Sequence, residues 1–145
     1  MYQDVLLPTD GSAGTAEFVT HAAEIATTYD ATLHVLSVVD TRNRFESPSS
    51  GIAPEAWARA ERERAEGAIE DAVDHLPDAV TVERVVREGV PQTQILDYVE
   101  DADVDVVVMG THGRTGLDHY LIGSVTEKVV RKSPAPVLTV QITEE

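Results

Sequence analysis

Three glycines within seven residues, Gly110-Thr-His-Gly113-Arg-Thr-Gly116, follow an apolar run. Lacking side chains, they let backbone N–H groups approach an anion closely. Gly123-Ser124-Val125-Thr126 then opens a predicted helix. Its unpaired N–H groups, the positive end of its dipole and two hydroxyls converge on one space, and phosphate is the natural occupant. Arg114 adds a fixed positive charge, and its guanidinium could equally pair with Asp118. A second polar cluster, Pro8-Thr9-Asp10-Gly11-Ser12, ends the first apolar run. Asp10 suits two roles that can coexist, a ligand contact and a cap for the following helix.

Other chemistries lack their residues. Neither GxxxxGK[ST] nor a GxGxxG after the first strand occurs, so a P-loop NTPase and a dinucleotide enzyme are not supported. The chain has no cysteine, which removes disulfides, thiolate-ligated metals and thiol nucleophiles. His21, His34, His75 and His119 lack metal-ligand spacing, and no metal site built from protein ligands is expected. A Mg²⁺ ion held by phosphate oxygens is compatible with the sequence. His112 has no evident orienting partner and reads as a surface or packing residue. Ser124 lacks the G-x-S-x-G elbow of a catalytic serine and reads as a phosphate contact. No catalytic residue is therefore expected. Asp101, Asp103 and Asp105 read as solvated turn residues, and Trp57 as a packing or dimer residue.

Five apolar runs and four amphipathic segments must position these loops. Strands are predicted at 2–7, 32–39, 80–86, 104–109 and 136–142, and helices at 14–29, 54–76, 92–100 and 124–132. On the first helix Ala16, Val19, Ala22, Ala23 and Ala26 share a face flanked by Phe18 and Ile25. On the second, Ala65, Ala68, Ile69, Ala72, Val73 and Leu76 form the apolar stripe. The segment 40–53, rich in Ser, Pro, Asn and Gly, reads as a surface loop. The order β-α-β-α-β-α-β-α-β predicts an α/β fold: an open five-stranded parallel sheet with helices on both faces. Ligands of such sheets bind outside the carboxyl ends of the strands, where the winding reverses. In a 3-2-1-4-5 order the first and fourth strands are neighbours, and both polar loops line one crevice.

The chain has 145 residues, 42% of them apolar, and residues 1–145 are expected to form one domain. Lys plus Arg number 11 against 26 Asp plus Glu, a formal net charge of −15 that argues against nucleic acid and anionic membranes as partners. No apolar run approaches the roughly 20 residues of a membrane span, so a soluble, cytoplasmic protein is expected. Only Lys128 and Lys132 are lysines. Abundant carboxylates with few ammonium groups suggest a halophilic source, since the Debye length falls to about 3 Å at 1 M salt and acidic repulsion is screened.

The spacing Gly110-x-x-Gly113, nine residues, then Gly123-Ser124 resembles the Gly-2x-Gly-9x-Gly-(Ser/Thr) signature of the universal stress protein family, in its ATP-binding branch. The resemblance extends to VLLPTDGS, HVLSVVD and PAPVLTV, and covers essentially the whole chain. It implies a Rossmann-like fold of the adenine-nucleotide alpha hydrolase type with ATP between the two loops. Carried over by position, Pro8, Thr9 and Asp10 would lie beside adenine and ribose, and Val38 or Val39 at the adenine edge. Gly110, His112, Gly113 and Arg114 would surround ribose and phosphates, and Gly123, Ser124, Val125 and Thr126 would cradle the phosphates. The resemblance also implies a homodimer joined through the last strand, Val137–Ile142, which reads independently as an edge needing cover. The function implied is a nucleotide-dependent conformational or oligomeric switch in the stress response. The alternatives are a slow ATPase or nucleotidyl-transferring enzyme, and a dimerisation module that binds no nucleotide.

Overall fold

Apolar residues on both faces of three short runs drive the fold, because strands buried on both sides can only be central. The computed structural model describes residues 2–11, 15–42, 54–111 and 123–141. Strands β1 (Asp4–Pro8), β2 (Thr32–Asp40), β3 (Thr81–Gly89), β4 (Val106–Gly110) and β5 (Val137–Val140) alternate with helices α1 (Thr15–Tyr29), α2 (Pro54–Val73), α3 (Pro91–Asp101) and α4 (Ser124–Lys132). The strands form one parallel sheet in the order β3-β2-β1-β4-β5, as the sequence predicts. In register, Val5 faces Leu33 on one side and Val106 on the other.

Alternation along the strands sorts the core into two layers. Val5, Leu7, Leu33, Val35, Val106 and Val108 pack against Phe18, Val19, Ala22 and Ala26 of α1 and against Ile69 and Ala72 of α2. Leu6, Leu36, Val107 and Met109 point the other way, onto Ile95, Tyr98 and Val99 of α3 and Val129 of α4. Ala16 is exposed, and buried Phe18 holds the start of the α1 face instead. The larger side chain removes more apolar surface from water, and the helix rotates to bury it.

Element ends differ from the sequence reading for identifiable reasons. α2 stops at Val73 rather than 76; the chain tightens through His75 N–H to Ala72 O and Leu76 N–H to Val73 O, and Leu76 precedes Pro77, which disfavours helical backbone there. β3 runs on through Arg87, Glu88 and Gly89, paired with Val38, Val39 and Asp40. As an edge strand it tolerates charged side chains that a central strand would not. β5 is assigned to Val137–Val140, and Ile142 lies outside the described residues.

Polar contacts at the amino ends of the strands lock the sheet. Asp105 is not merely a solvated turn residue: its Oδ2 accepts hydrogen bonds from the backbone N–H groups of Gln3 (2.8 Å) and Asp4 (2.9 Å), clipping β1 to the start of β4. Asp105→Ala should cost about 1–3 kcal/mol, since charged hydrogen bonds are lost at a partly wet site, a loss that urea denaturation would measure.

His34, buried near the amino end of β2, bridges two elements. Its Nε2 lies 2.9 Å from Asp4 Oδ1 and its Nδ1 lies 2.6 Å from the Tyr98 hydroxyl. A carboxylate can only accept, so Nε2–H donates to Asp4, and in the neutral ring Nδ1 accepts from Tyr98 O–H. Burial pushes the Tyr98 phenol above its ordinary 10.0; Glu83 and Asp4 add to the rise, and Arg87, 4.9 Å from the ring centroid, opposes it. A raised folded-state pKa means that the neutral phenol stabilises the fold below the unfolded value, and that this contribution is lost as pH rises through the folded value. Stability should therefore decline with pH above about 10, and less steeply in Tyr98→Phe, as denaturation at a series of alkaline pH values would show.

Candidate functional site

The strand order puts the carboxyl ends of β1 and β4 side by side, with β2 next to β1, at the point where the winding reverses. A cavity of about 280 Å³ lies there. That is close to the lower end of small-molecule pockets, roughly 300–1,000 Å³. Leu36 and Val38 of β2, Met109 of β4 and Ile95 of α3 supply apolar wall, with Phe18 of α1. Polar atoms come from Thr9 and Asp10 after β1, from Asp40 and Arg42 at the end of β2, and from Gly110, Gly123, Ser124 and Thr126.

Each loop is held by specific contacts. The Thr9 N–H donates to the Leu36 carbonyl at 2.8 Å, and the Gly11 N–H reaches the Thr9 hydroxyl at 3.4 Å. Gly11 has φ +78°, and a Cβ there would stand 3.3 Å from the Ala68 Cβ of α2. Glycine thus serves both the left-handed turn and the close approach of α2. The Gly123 N–H donates to the Thr111 carbonyl at 2.6 Å and the Thr111 N–H to the Val140 carbonyl at 3.1 Å, which seats the α4 entrance above β4 and β5.

Among the described residues no side chain caps α4. Its first intrahelical bond runs from the Glu127 N–H to the Gly123 carbonyl, so the N–H groups of Ser124, Val125 and Thr126 have no partner within the helix. All three residues line the cavity. The Thr126 hydroxyl donates to the Gly110 carbonyl at 2.9 Å in a buried contact. Its proton is committed to joining α4 to β4, and Thr126 can offer an anion its backbone N–H. Ser124 is exposed and borders the cavity. This arrangement of fixed donors at a positive dipole end can bind a multiply charged anion.

Of the residues singled out from sequence, Pro8, Thr9, Asp10, Val38, Gly110, Gly123, Ser124, Val125 and Thr126 are brought together around this one cavity. Val39 is not: it is buried and absent from the wall, because successive β2 side chains alternate and Val38 takes the cavity side. His112, Gly113, Arg114 and Gly116 lie outside the described residues. Sequence reasoning missed Asp40, Arg42, Pro91 and Ile95. The rule that ligands sit beyond strand ends could have found Asp40 and Arg42, and proline at the first position of α3 marks a helix start facing the same end of the sheet. Among the described residues, no group of three or more His, Cys, Asp or Glu side chains could hold a metal ion, and no helix is long and apolar enough to cross a membrane.

Comparisons with known proteins agree with this architecture. The model of the universal stress protein family matches residues 1–141. Universal stress protein MJ0531 of Methanocaldococcus jannaschii is 33% identical over 142 residues, spanning 97% of this chain and 83% of its own length. The solved structure of MJ0577, from the same organism, has a TM-score of 0.86 at 32% identity and covers 100% of this chain and 99% of that one. A universal stress protein solved in complex with cAMP has a TM-score of 0.63 at 27% identity, with 98% of each chain covered. A five-stranded 3-2-1-4-5 sheet, a donor-lined crevice at its switch point and a family match across nearly its whole length together mean that this chain belongs to the universal stress protein family.

Proposed function

We propose that this chain binds ATP and acts as a nucleotide-dependent conformational or oligomeric switch in the stress response. The uncapped α4 N-terminus carries the reading: three backbone N–H groups without helical partners border a cavity walled by the ends of β1, β2 and β4. In this reading the phosphates lie against Gly110 and Gly123–Thr126, with His112, Gly113 and Arg114 around ribose and phosphates. Pro8, Thr9 and Asp10 stand beside adenine and ribose, and Val38 meets the adenine edge. The cAMP complex of a relative 27% identical supports an adenine nucleotide as the ligand class. The donor set fits a triphosphate, and any Mg²⁺ would arrive on its oxygens, bringing charge neutralisation with it.

Residues 1–145 act as one unit that works in the cytoplasm, at high salt, as a homodimer paired through Val137–Ile142. Edge strand β5, with Leu138 39% exposed, supports that pairing surface. Hydrolysis is at most slow, because no Walker lysine exists. Calorimetry with ATP, ADP and AMP at high KCl, followed by a product assay, tests the function. Saturable ATP binding without turnover above background is expected; absence of binding would overturn the reading, and rapid turnover would replace the switch with an enzyme.

A further inference from the structure

The start of α4 is tied to the end of β5 through the exit of β4. The Thr126 hydroxyl donates to the Gly110 carbonyl at 2.9 Å, and the Gly123 N–H donates to the Thr111 carbonyl at 2.6 Å. The Thr111 N–H in turn donates to the Val140 carbonyl at 3.1 Å. The peptide group between Gly110 and Thr111 is therefore held on both sides, by Thr126 through its oxygen and by Val140 through its N–H. In register, Gly110 stands opposite Val140, the last residue of edge strand β5.

Both outer links are covered, with Thr126 5% exposed and Val140 8% exposed. A buried acceptor that loses its donor is costly, so a movement of Thr126 is passed to the Gly110 carbonyl. A threonine hydroxyl has a single proton, and here the Gly110 oxygen takes it. Only lone pairs remain on the hydroxyl oxygen, and they attract no phosphate oxygen. The Thr126 side chain thus acts on an anion only through the backbone it holds, and both Gly110 and Thr126 border the cavity.

We propose that Thr126 is a positioning residue that fixes the α4 donors against the exit of β4 and, through the peptide group between Gly110 and Thr111, passes phosphate occupancy on to β5. The inference rests on the nucleotide-binding reading and deepens it, by naming the contacts that join the phosphates to the edge strand of the proposed homodimer. A bound polyphosphate immobilises the first turn of α4, and the bonds from Thr126 and Gly123 then hold that peptide group against Val140. The base, which meets Val38 on β2 in this reading, takes no part.

Calorimetry and backbone amide hydrogen exchange on the full chain, with ATP, adenosine and inorganic triphosphate as probes, test the relay. In the wild type, ATP or triphosphate at about ten times its Kd should slow exchange of the Thr111 and Gly123 amides by about tenfold, and adenosine should not. Thr126→Val, which keeps the shape and loses the donor, should weaken ATP and triphosphate by about tenfold, the equivalent of one hydrogen bond, with far less effect on adenosine. It should also remove most of the ligand-dependent protection of Thr111, and Thr126→Ser, which restores the hydroxyl, should recover most of both. Equal weakening of adenosine and triphosphate, no recovery with serine, or protection of Thr111 that persists in Thr126→Val at saturating ligand would overturn the relay while leaving nucleotide binding intact. If Thr126→Val does not fold, the wild type decides: Thr111 protected by adenosine as much as by triphosphate, or by neither, overturns the relay. A wild-type chain that binds neither ATP nor triphosphate would overturn the underlying reading.

Discussion

Ser124→Glu should lower ATP affinity by about 10³-fold while leaving the thermal midpoint unchanged or slightly raised. Ser124 is exposed at the first position of α4, so its replacement disturbs no core. A carboxylate there is favoured by the helix dipole, worth about 0.3–1 kcal/mol. The same carboxylate would occupy the space of a phosphate oxygen. Two unit charges about 4 Å apart repel by about 4 kcal/mol at an effective dielectric constant of about 20, which converts to about three powers of ten in affinity. Adenosine, which carries no phosphate, should lose far less. Binding and stability thus move independently, and this separates a ligand-binding helix start from a purely structural one.

His34→Leu should destabilise the fold by about 2–4 kcal/mol, because a buried imidazole joins two polar groups and its loss orphans the buried one. The Tyr98 hydroxyl would lose its acceptor inside the α3 layer, whereas Asp4, partly exposed, can recover hydrogen bonds from water. For a chain of this length the change corresponds to roughly 5–15 °C in the melting midpoint. Adding Tyr98→Phe to His34→Leu should restore part of the loss, since removing both partners costs less than orphaning one. Additive losses in the double variant would refute the coupling. The pair lies at the far end of the sheet from the cavity, so ATP affinity of the folded protein should change little.

Much of this molecule is legible in local pattern. The order of elements and the sheet topology follow from helical periodicity, apolar runs and the crossover rule, and the two polar loops follow from glycine, proline and hydroxyl placement. What escapes is what depends on distant partners. His34 and Tyr98 are 64 residues apart, and Asp105 and Asp4 101 apart, so neither contact leaves a local signature. Val38 and Val39 could not be told apart because β2 is apolar on both faces, and alternation carries no contrast there. The Asp40–Arg42 pair is local in sequence, yet two charges two residues apart read as ordinary loop polarity until the cavity beside them is seen. The reach of β3 through Arg87 and Glu88 was hidden because charge marks a loop as readily as an edge strand.

The acidic composition makes a separate demand on conditions. With 26 acidic against 11 basic side chains, carboxylate repulsion opposes the folded state in dilute buffer. Stability should rise with KCl concentration; a chain equally stable without salt would count against adaptation to brine.

The most direct measurement is a backbone amide NMR titration of the full chain with ATP at high KCl. The largest shifts should fall on Gly110, Ser124, Val125 and Thr126, with a second group at Thr9, Asp10 and Val38, and adenosine should move only the second group. Saturating shifts confined to the opposite end of the sheet, or no shifts at millimolar ATP, would contradict a nucleotide bound at the start of α4.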